Sequence, residues 1–162
     1  MFKIGDVVLY GIQGICAIKN IEIKQIGKTA LDYYVLNPVF NENTSLFVPV
    51  DNEILTSKMQ NILTKKEATQ LLEKTGQIEC LKIQDESVKR ERYREILSSG
   101  NREDMVALIK TLRFEREERS KLNKKLNMSD EQTLYKAERL LFNEIAYVFG
   151  IEPQEAQNMM TF

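Results

Sequence analysis

The spacing of apolar residues changes from a strand-like to a helix-like period between residues 57 and 64. Before this point, β-branched and aromatic runs are separated by turn residues about every ten positions, which is typical of short strands. After it, apolar residues recur at intervals of three and four, which is typical of amphipathic helices. Strands that all precede the helices favour an α+β protein of two domains, here residues 1–60 and 61–162.

The first 60 residues contain four strand-like runs, at 7–10, 15–26, 31–36 and 46–48. Glycines and a cluster of asparagines lie between these runs, where hairpins need them. Pro49 ends the last run, because proline cannot donate a hydrogen bond to a central ladder. The pattern predicts a small barrel or a curled antiparallel sheet.

The remaining residues predict an all-helical bundle. Thr64 and Glu67 have the spacing of a capping box, and Ser129 and Gln132 are expected to form a second one that opens a later helix. The expected helices begin near residues 64, 86, 102, 129 and 153.

Histidine is absent, and its absence excludes much chemistry. Neither a Ser-His-Asp nor a Cys-His arrangement is available, and there is no histidine base or metal ligand. Cys16 and Cys80 are far apart and outside any CxxC pair, so a cysteine-only zinc site is unavailable as well. We therefore expect free thiols, no catalytic residue, no metal and no cofactor, and the chain is not expected to be an enzyme.

The N-terminus lacks the apolar run and cleavage site of a signal peptide, and no segment holds the roughly 20 apolar residues that span a bilayer. The sequence therefore predicts no membrane contact. The two free thiols fit a reducing cytoplasm, so we expect a cytoplasmic protein, and we expect a monomer.

The formal net charge of −1 hides regions of opposite sign. Residues 1–60 carry −1, residues 61–80 carry 0, residues 81–127 carry +4 and residues 128–162 carry −4. Phosphate attraction is local, because salt screens it within about 8–10 Å. The basic middle region can therefore bind an anion despite the neutral total.

Two interpretations of this basic region stay open. Glu115 and Arg119 have the i,i+4 spacing of a solvated, salt-bridged helix surface. Lys124 and Lys125, by contrast, lie together in a predicted loop without an acidic residue, which favours nucleic acid.

Several short motifs follow one another in a recognisable order. The chain opens with FKIGDVVLY and Gly14, continues with YVL at 34–36 and VP at 48–49, and later carries LSSG at 97–100 and AERLL at 137–141. In this order and spacing, the motifs resemble the CarD/CdnL family of bacterial transcription regulators over essentially the whole chain.

The resemblance implies a division of labour between the two domains. A Tudor-like domain, residues 1–60, would dock on the β subunit of RNA polymerase. A helical domain, residues 61–162, would contact promoter DNA at the upstream edge of the melted region and modulate open-complex stability. It also implies association with the nucleoid through RNA polymerase.

The same resemblance points to four polymerase-binding residues: Lys24 and Ile26 on one strand, and Phe47 and Pro49 on another. The family often carries a basic residue at the position of Phe47, so this chain departs from the pattern there. Phe47 is either a core residue or an outward apolar anchor that replaces a charged contact.

A second departure concerns DNA. Many family members place a tryptophan wedge at the bubble edge, and this sequence contains no tryptophan. We therefore expect weak, non-specific contacts with the phosphate backbone. The expected DNA-binding residues are Lys89, Arg90, Arg92, Arg94, Arg113, Arg116, Lys124 and Lys125. Tyr93, which lies among them, is interpreted as core rather than as a base-stacking residue. The alternative function is a protein-interaction adaptor on RNA polymerase without direct DNA contact.

Overall fold

The computed structural model describes residues Met1–Phe162, and the chain divides into two compact units, Met1–Ile62 and Leu63–Phe162. The first is a curled antiparallel sheet and the second is helical, so the predicted α+β fold class is confirmed. The units divide two residues beyond the expected limit of the first domain.

The N-terminal unit is a five-stranded sheet in which every neighbouring pair is antiparallel. The strand order is β4-β3-β2-β1-β5. A single-turn helix, α1 (Glu53–Thr56), precedes the last strand. The strands are β1 (Val7–Tyr10), β2 (Ile15–Ile26), β3 (Thr29–Pro38), β4 (Leu46–Pro49) and β5 (Met59–Asn61).

Strand β2 is much longer than its neighbour β1, so its second half pairs with β3 alone as a ribbon. The ribbon turns at Gly27, whose φ of 64° lies in the left-handed region that glycine adopts without strain. The register shifts between Ile18 and Asn20 at an irregularity of the bulge type, which re-aims the following side chains.

The core of this unit lies on one face of the sheet, where alternate residues of the strands meet. It includes the thiol of Cys16, which is fully buried. Its members are Val8, Cys16, Ile18, Tyr34, Leu36, Val48 and Met59.

The C-terminal unit contains five α-helices, and none of the helices of the chain is both long and apolar enough to cross a bilayer. The helices are α2 (Lys65–Lys74), α3 (Glu86–Ser99), α4 (Arg102–Lys121), α5 (Met128–Phe149) and α6 (Pro153–Met159). Their core is a separate cluster built largely from Leu, Ile, Val and Ala of α4 and α5.

The first predicted capping box is confirmed and the second is wrong. Thr64 Oγ1 accepts a hydrogen bond from Glu67 N, and the Glu67 carboxylate accepts one from Thr64 N. Helix α5 is instead capped by Asn127, whose Oδ1 accepts from Asp130 N. Asparagine caps as well as serine does, so the helix begins at the earlier of two suitable residues.

Candidate functional site

The residues expected to bind polymerase share one face of the sheet. Lys24 and Ile26 alternate along β2, and Lys24 lies opposite Leu31 of β3. Directly opposed residues point to the same face, and so do residues two positions apart. On β3 this face continues through Tyr33 and Val35, whose partners on β4 are Pro49 and Phe47. We call Lys24, Ile26, Phe47 and Pro49 the sheet face.

Phe47 is an outward residue of the sheet face. Its side chain is 42% exposed and lies outside the core cluster of this unit. The ammonium of Lys24 lies over its ring, 3.1 Å from the ring centroid, which is a cation–π contact. The two side chains thus present an apolar surface that carries a positive charge.

Strand β4 lies at the edge of the sheet, beside β3 alone. One side of its backbone therefore has no strand partner, and an extended segment of another protein can pair there. The sheet face and this free edge meet on β4, because Phe47 and Pro49 belong to both.

In the helical unit, the basic middle region and the acidic C-terminal region pair with each other. All four acidic residues of α5 form ion pairs with basic residues of α3 or α4. The pairs are Asp130–Lys89 at 3.9 Å, Glu131–Arg116 at 4.0 Å, Glu138–Arg113 at 2.7 Å and Glu144–Arg102 at 2.7 Å. Much of the +4 and −4 contrast in the sequence therefore reflects pairing between helices.

Lys89 belongs to the interior of this network, and its placement argues against a DNA contact. Its side chain is 12% exposed and its Nζ lies 3.2 Å from Glu115 Oε2. Burial lowers the pKa of Lys89, but the Tyr93 phenol and the carboxylates of Glu115 and Asp130 outweigh it, so the pKa is raised. A lysine held this way is charged but turned away from solvent.

Tyr93 lies in the helical core. Its hydroxyl is buried and has no hydrogen-bond partner, and burial raises the pKa of Tyr93 to about 12. The ring is therefore not available to stack on a base.

Three of the other expected DNA-binding residues are ion-paired. Arg92 pairs with Asp104 of α4 at 3.0 Å. Arg113 bonds to Glu138 and stacks on Phe162, 4.5 Å from the ring centroid. Arg113 and Arg116 both line an open groove of about 1130 Å³ along α4.

The remaining four expected residues are exposed and have no ion-pair partner: Arg90, Arg94, Lys124 and Lys125. Arg90 and Arg94 are four residues apart on α3, so they lie on the same side of that helix. Lys124 and Lys125 lie in the loop between α4 and α5.

Sequence reasoning missed a set of exposed residues on α5. Lys136 and Arg139 are exposed without an ion-pair partner, and Tyr135 beside them is 66% exposed. They were overlooked because residues 128–162 are acidic as a whole. A helical projection of α5 would have separated these cations from its acidic residues.

A scan against protein-family models matches residues 2–63 to the CarD-like/TRCF RID domain. Domains of this kind are non-enzymatic interaction domains that bind RNA polymerase, which makes the chain a transcription-related protein. No curated protein matches the chain. The resemblance to the CarD/CdnL family is thereby confirmed through residues 2–63, and the N-terminal unit of this chain is a CarD-like/TRCF RID domain.

Proposed function

We propose that this chain is a transcription regulator that docks on the RNA polymerase β subunit and contacts promoter DNA at the upstream edge of the bubble, thereby modulating open-complex stability. The RID domain carries the first half of this proposal. The unpaired cations of the helical unit carry the second.

Docking would use both features of β4. Its free edge offers backbone donors and acceptors to a strand of the β subunit, while Phe47 and Pro49 offer an apolar surface beside that strand. The ammonium of Lys24, held over the Phe47 ring, supplies a positive charge next to the position where the family often carries a basic residue.

The DNA contact would be made by Arg90, Arg94, Lys124 and Lys125, since no acidic side chain neutralises them. Such contacts read phosphates rather than bases, so they are weak and indifferent to sequence. Docking supplies the missing specificity, because it raises the effective concentration of the helical unit near the promoter.

The adaptor without DNA contact is the second candidate. It is favoured by one observation, namely that four of the eight expected DNA-binding residues are ion-paired: Lys89, Arg92, Arg113 and Arg116. The two candidates differ in whether the unpaired cations matter for transcription.

Open-complex half-life in the presence of the full chain distinguishes them. The double substitution Arg90→Glu and Arg94→Glu should remove most of the effect of the wild-type protein on the half-life, while polymerase binding is retained. A tenfold change in the equilibrium between closed and open promoter complexes corresponds to about 1.4 kcal/mol of open-complex stability. Lys65→Glu with Lys66→Glu is the matched control, because these lysines of α2 are equally exposed and unpaired. If the Arg90→Glu and Arg94→Glu variant gives the same open-complex half-life as the wild-type protein, the adaptor is favoured.

A further inference from the structure

Helix α5 presents an outward surface on which basic and aromatic side chains lie side by side. Tyr135, Lys136 and Arg139 are all exposed. At 3.6 residues per turn, Tyr135 and Arg139 are separated by about 40° around the helix axis, and Lys136 and Arg139 by about 60°. The three side chains therefore occupy one strip of the helix.

The acidic residue of α5 nearest to this strip is Glu131, one turn before Tyr135. The acidic residues of α5 face its neighbours, where Glu138 binds Arg113 and Glu131 approaches Arg116. The only two basic residues of α5, Lys136 and Arg139, are left without a partner. Each acidic residue of α5 is thus paired with a cation of α3 or α4, while both of its basic residues are exposed and unpaired.

Two further cations lie just before the N-terminus of the helix. Lys124 and Lys125 precede the cap residue Asn127, and both are exposed and unpaired. With a rise of 1.5 Å per residue, Arg139 lies about 18 Å along the helix axis from Asn127. We call Lys124, Lys125, Tyr135, Lys136 and Arg139 the α5 surface.

We propose that the α5 surface binds single-stranded nucleic acid, with phosphates on its four cations and an unpaired base stacked on the ring of Tyr135. Complementary charge selects a polyanion, because four exposed cations without an ion-pair partner attract phosphates. The exposed ring selects a single strand, since only unstacked bases offer their faces to an aromatic side chain. This deepens the proposed function, on which it rests, by assigning the helical unit a contact with the melted part of the promoter.

The first test measures binding of the full chain to a fluorescently labelled 15-nucleotide oligo(dT) and to a 15-base-pair duplex by anisotropy, at several salt concentrations. The wild-type protein should bind the single strand more tightly than the duplex. Lys136→Gln with Arg139→Gln should weaken single-strand binding at least about fivefold. It should also reduce the slope of log K against log salt by about 1.4, because each lost phosphate contact contributes about 0.7.

Lys65→Gln with Lys66→Gln is the matched control, since it removes the same charge from exposed, unpaired lysines of α2. Both variants should keep the helical circular dichroism of the wild type. If both variants lose the same affinity for oligo(dT), net charge alone explains the loss, and the proposal is overturned.

The second test concerns the ring. Tyr135→Ala should weaken single-strand binding at least about fivefold and leave the salt slope unchanged, because stacking releases no counterion. Tyr135→Phe keeps the ring and should bind like the wild type. A loss that is equal for the single strand and the duplex would overturn the stacking role.

Failure of this inference is distinguishable from failure of the proposed function. If the wild-type chain does not bind oligo(dT) at low salt, the inference is wrong, whereas the half-life effect of the Arg90→Glu and Arg94→Glu variant can still support the DNA contact. If the α5 variants bind oligo(dT) normally but lose RNA polymerase in a pull-down, the α5 surface is a protein contact and the inference is overturned.

Discussion

Phe47 is the expected polymerase-binding residue whose orientation could not be predicted from the sequence. Three apolar residues in a row, Leu46 to Val48, gave no alternation from which its direction could be predicted. The pairing of Phe47 with Val35 and the contact with Lys24 decide the matter, because both place the ring on the sheet face. Tertiary pairing, rather than local pattern, determines this part of the site.

Truncation of Phe47 tests the docking half of the proposal. Phe47→Ala in the full chain should weaken binding of RNA polymerase β by about tenfold, because the variant loses an apolar anchor and the platform under Lys24. The measurement is a titration with the β subunit. Phe40→Ala is the control, since Phe40 is similarly exposed, at 48%, but belongs to the turn after β3. Equal affinities of the two variants would remove Phe47 from the docking surface.

Residues that are close in sequence have opposite surroundings in α3. Lys89 and Arg90 are adjacent in a basic run that the sequence presents as one cluster. Helical geometry turns Lys89 toward Glu115 and leaves Arg90 in solvent. The sequence could predict a basic region and a helix. It could not predict which basic side chains stay without an ion-pair partner, because that depends on where α4 and α5 lie.

At the scale of elements, most helices could be predicted because apolar spacing and capping residues are local signals. Helices α2 and α3 begin close to the expected residues 64 and 86, and Thr64 caps α2 as predicted. The short strand β5 was not predicted, because its three residues carry too little pattern. The pairing of α5 with α3 and α4 joins residues up to 42 positions apart, and no local rule contains it.

Glu144 is the most buried acceptor in this network. Its carboxylate accepts from Arg102 Nε at 3.0 Å and Arg102 Nη2 at 2.7 Å, and from Leu63 N at 2.9 Å. It therefore ties the segment before α2 and the first turn of α4 to the C-terminal half of α5. Loss of one partner of a buried ion pair is costly, because the other charge remains out of water.

We expect Glu144→Gln to destabilise the helical unit by about 3 kcal/mol. Glu138→Gln should cost about 1 kcal/mol, since its pair with Arg113 is more exposed to solvent. Urea unfolding followed by circular dichroism measures both variants. Equal costs would contradict the importance assigned to burial.

At the scale of the whole molecule, the charge contrast between regions has two components. One part is absorbed by ion pairs between helices, and the other remains as unpaired cations on α3 and in the loop between α4 and α5. The unpaired cations of α5 lie inside the acidic region, where the regional sum conceals them. A regional sum of charges could not separate these components, because the sum contains no information about which side of a helix each residue occupies.

The two units have hydrophobic clusters that share no residue. Each cluster can therefore be lost without the other, and we expect urea to unfold the chain in two transitions. Glu144→Gln should move only the transition of the helical unit. A single transition at the same midpoint for both units would contradict this expectation.

Each unit contains one cysteine, and their surroundings differ sharply. Cys16 is buried in the sheet core, where burial raises the pKa of its thiol to about 11, whereas Cys80 is exposed. A thiol reagent should consequently modify Cys80 in the native protein and reach Cys16 only when the sheet opens. A thiol-reactive dye can therefore be attached to Cys80 of the helical unit without any substitution. The rate at which Cys16 is then modified measures how often the RID domain opens, either free or bound to polymerase.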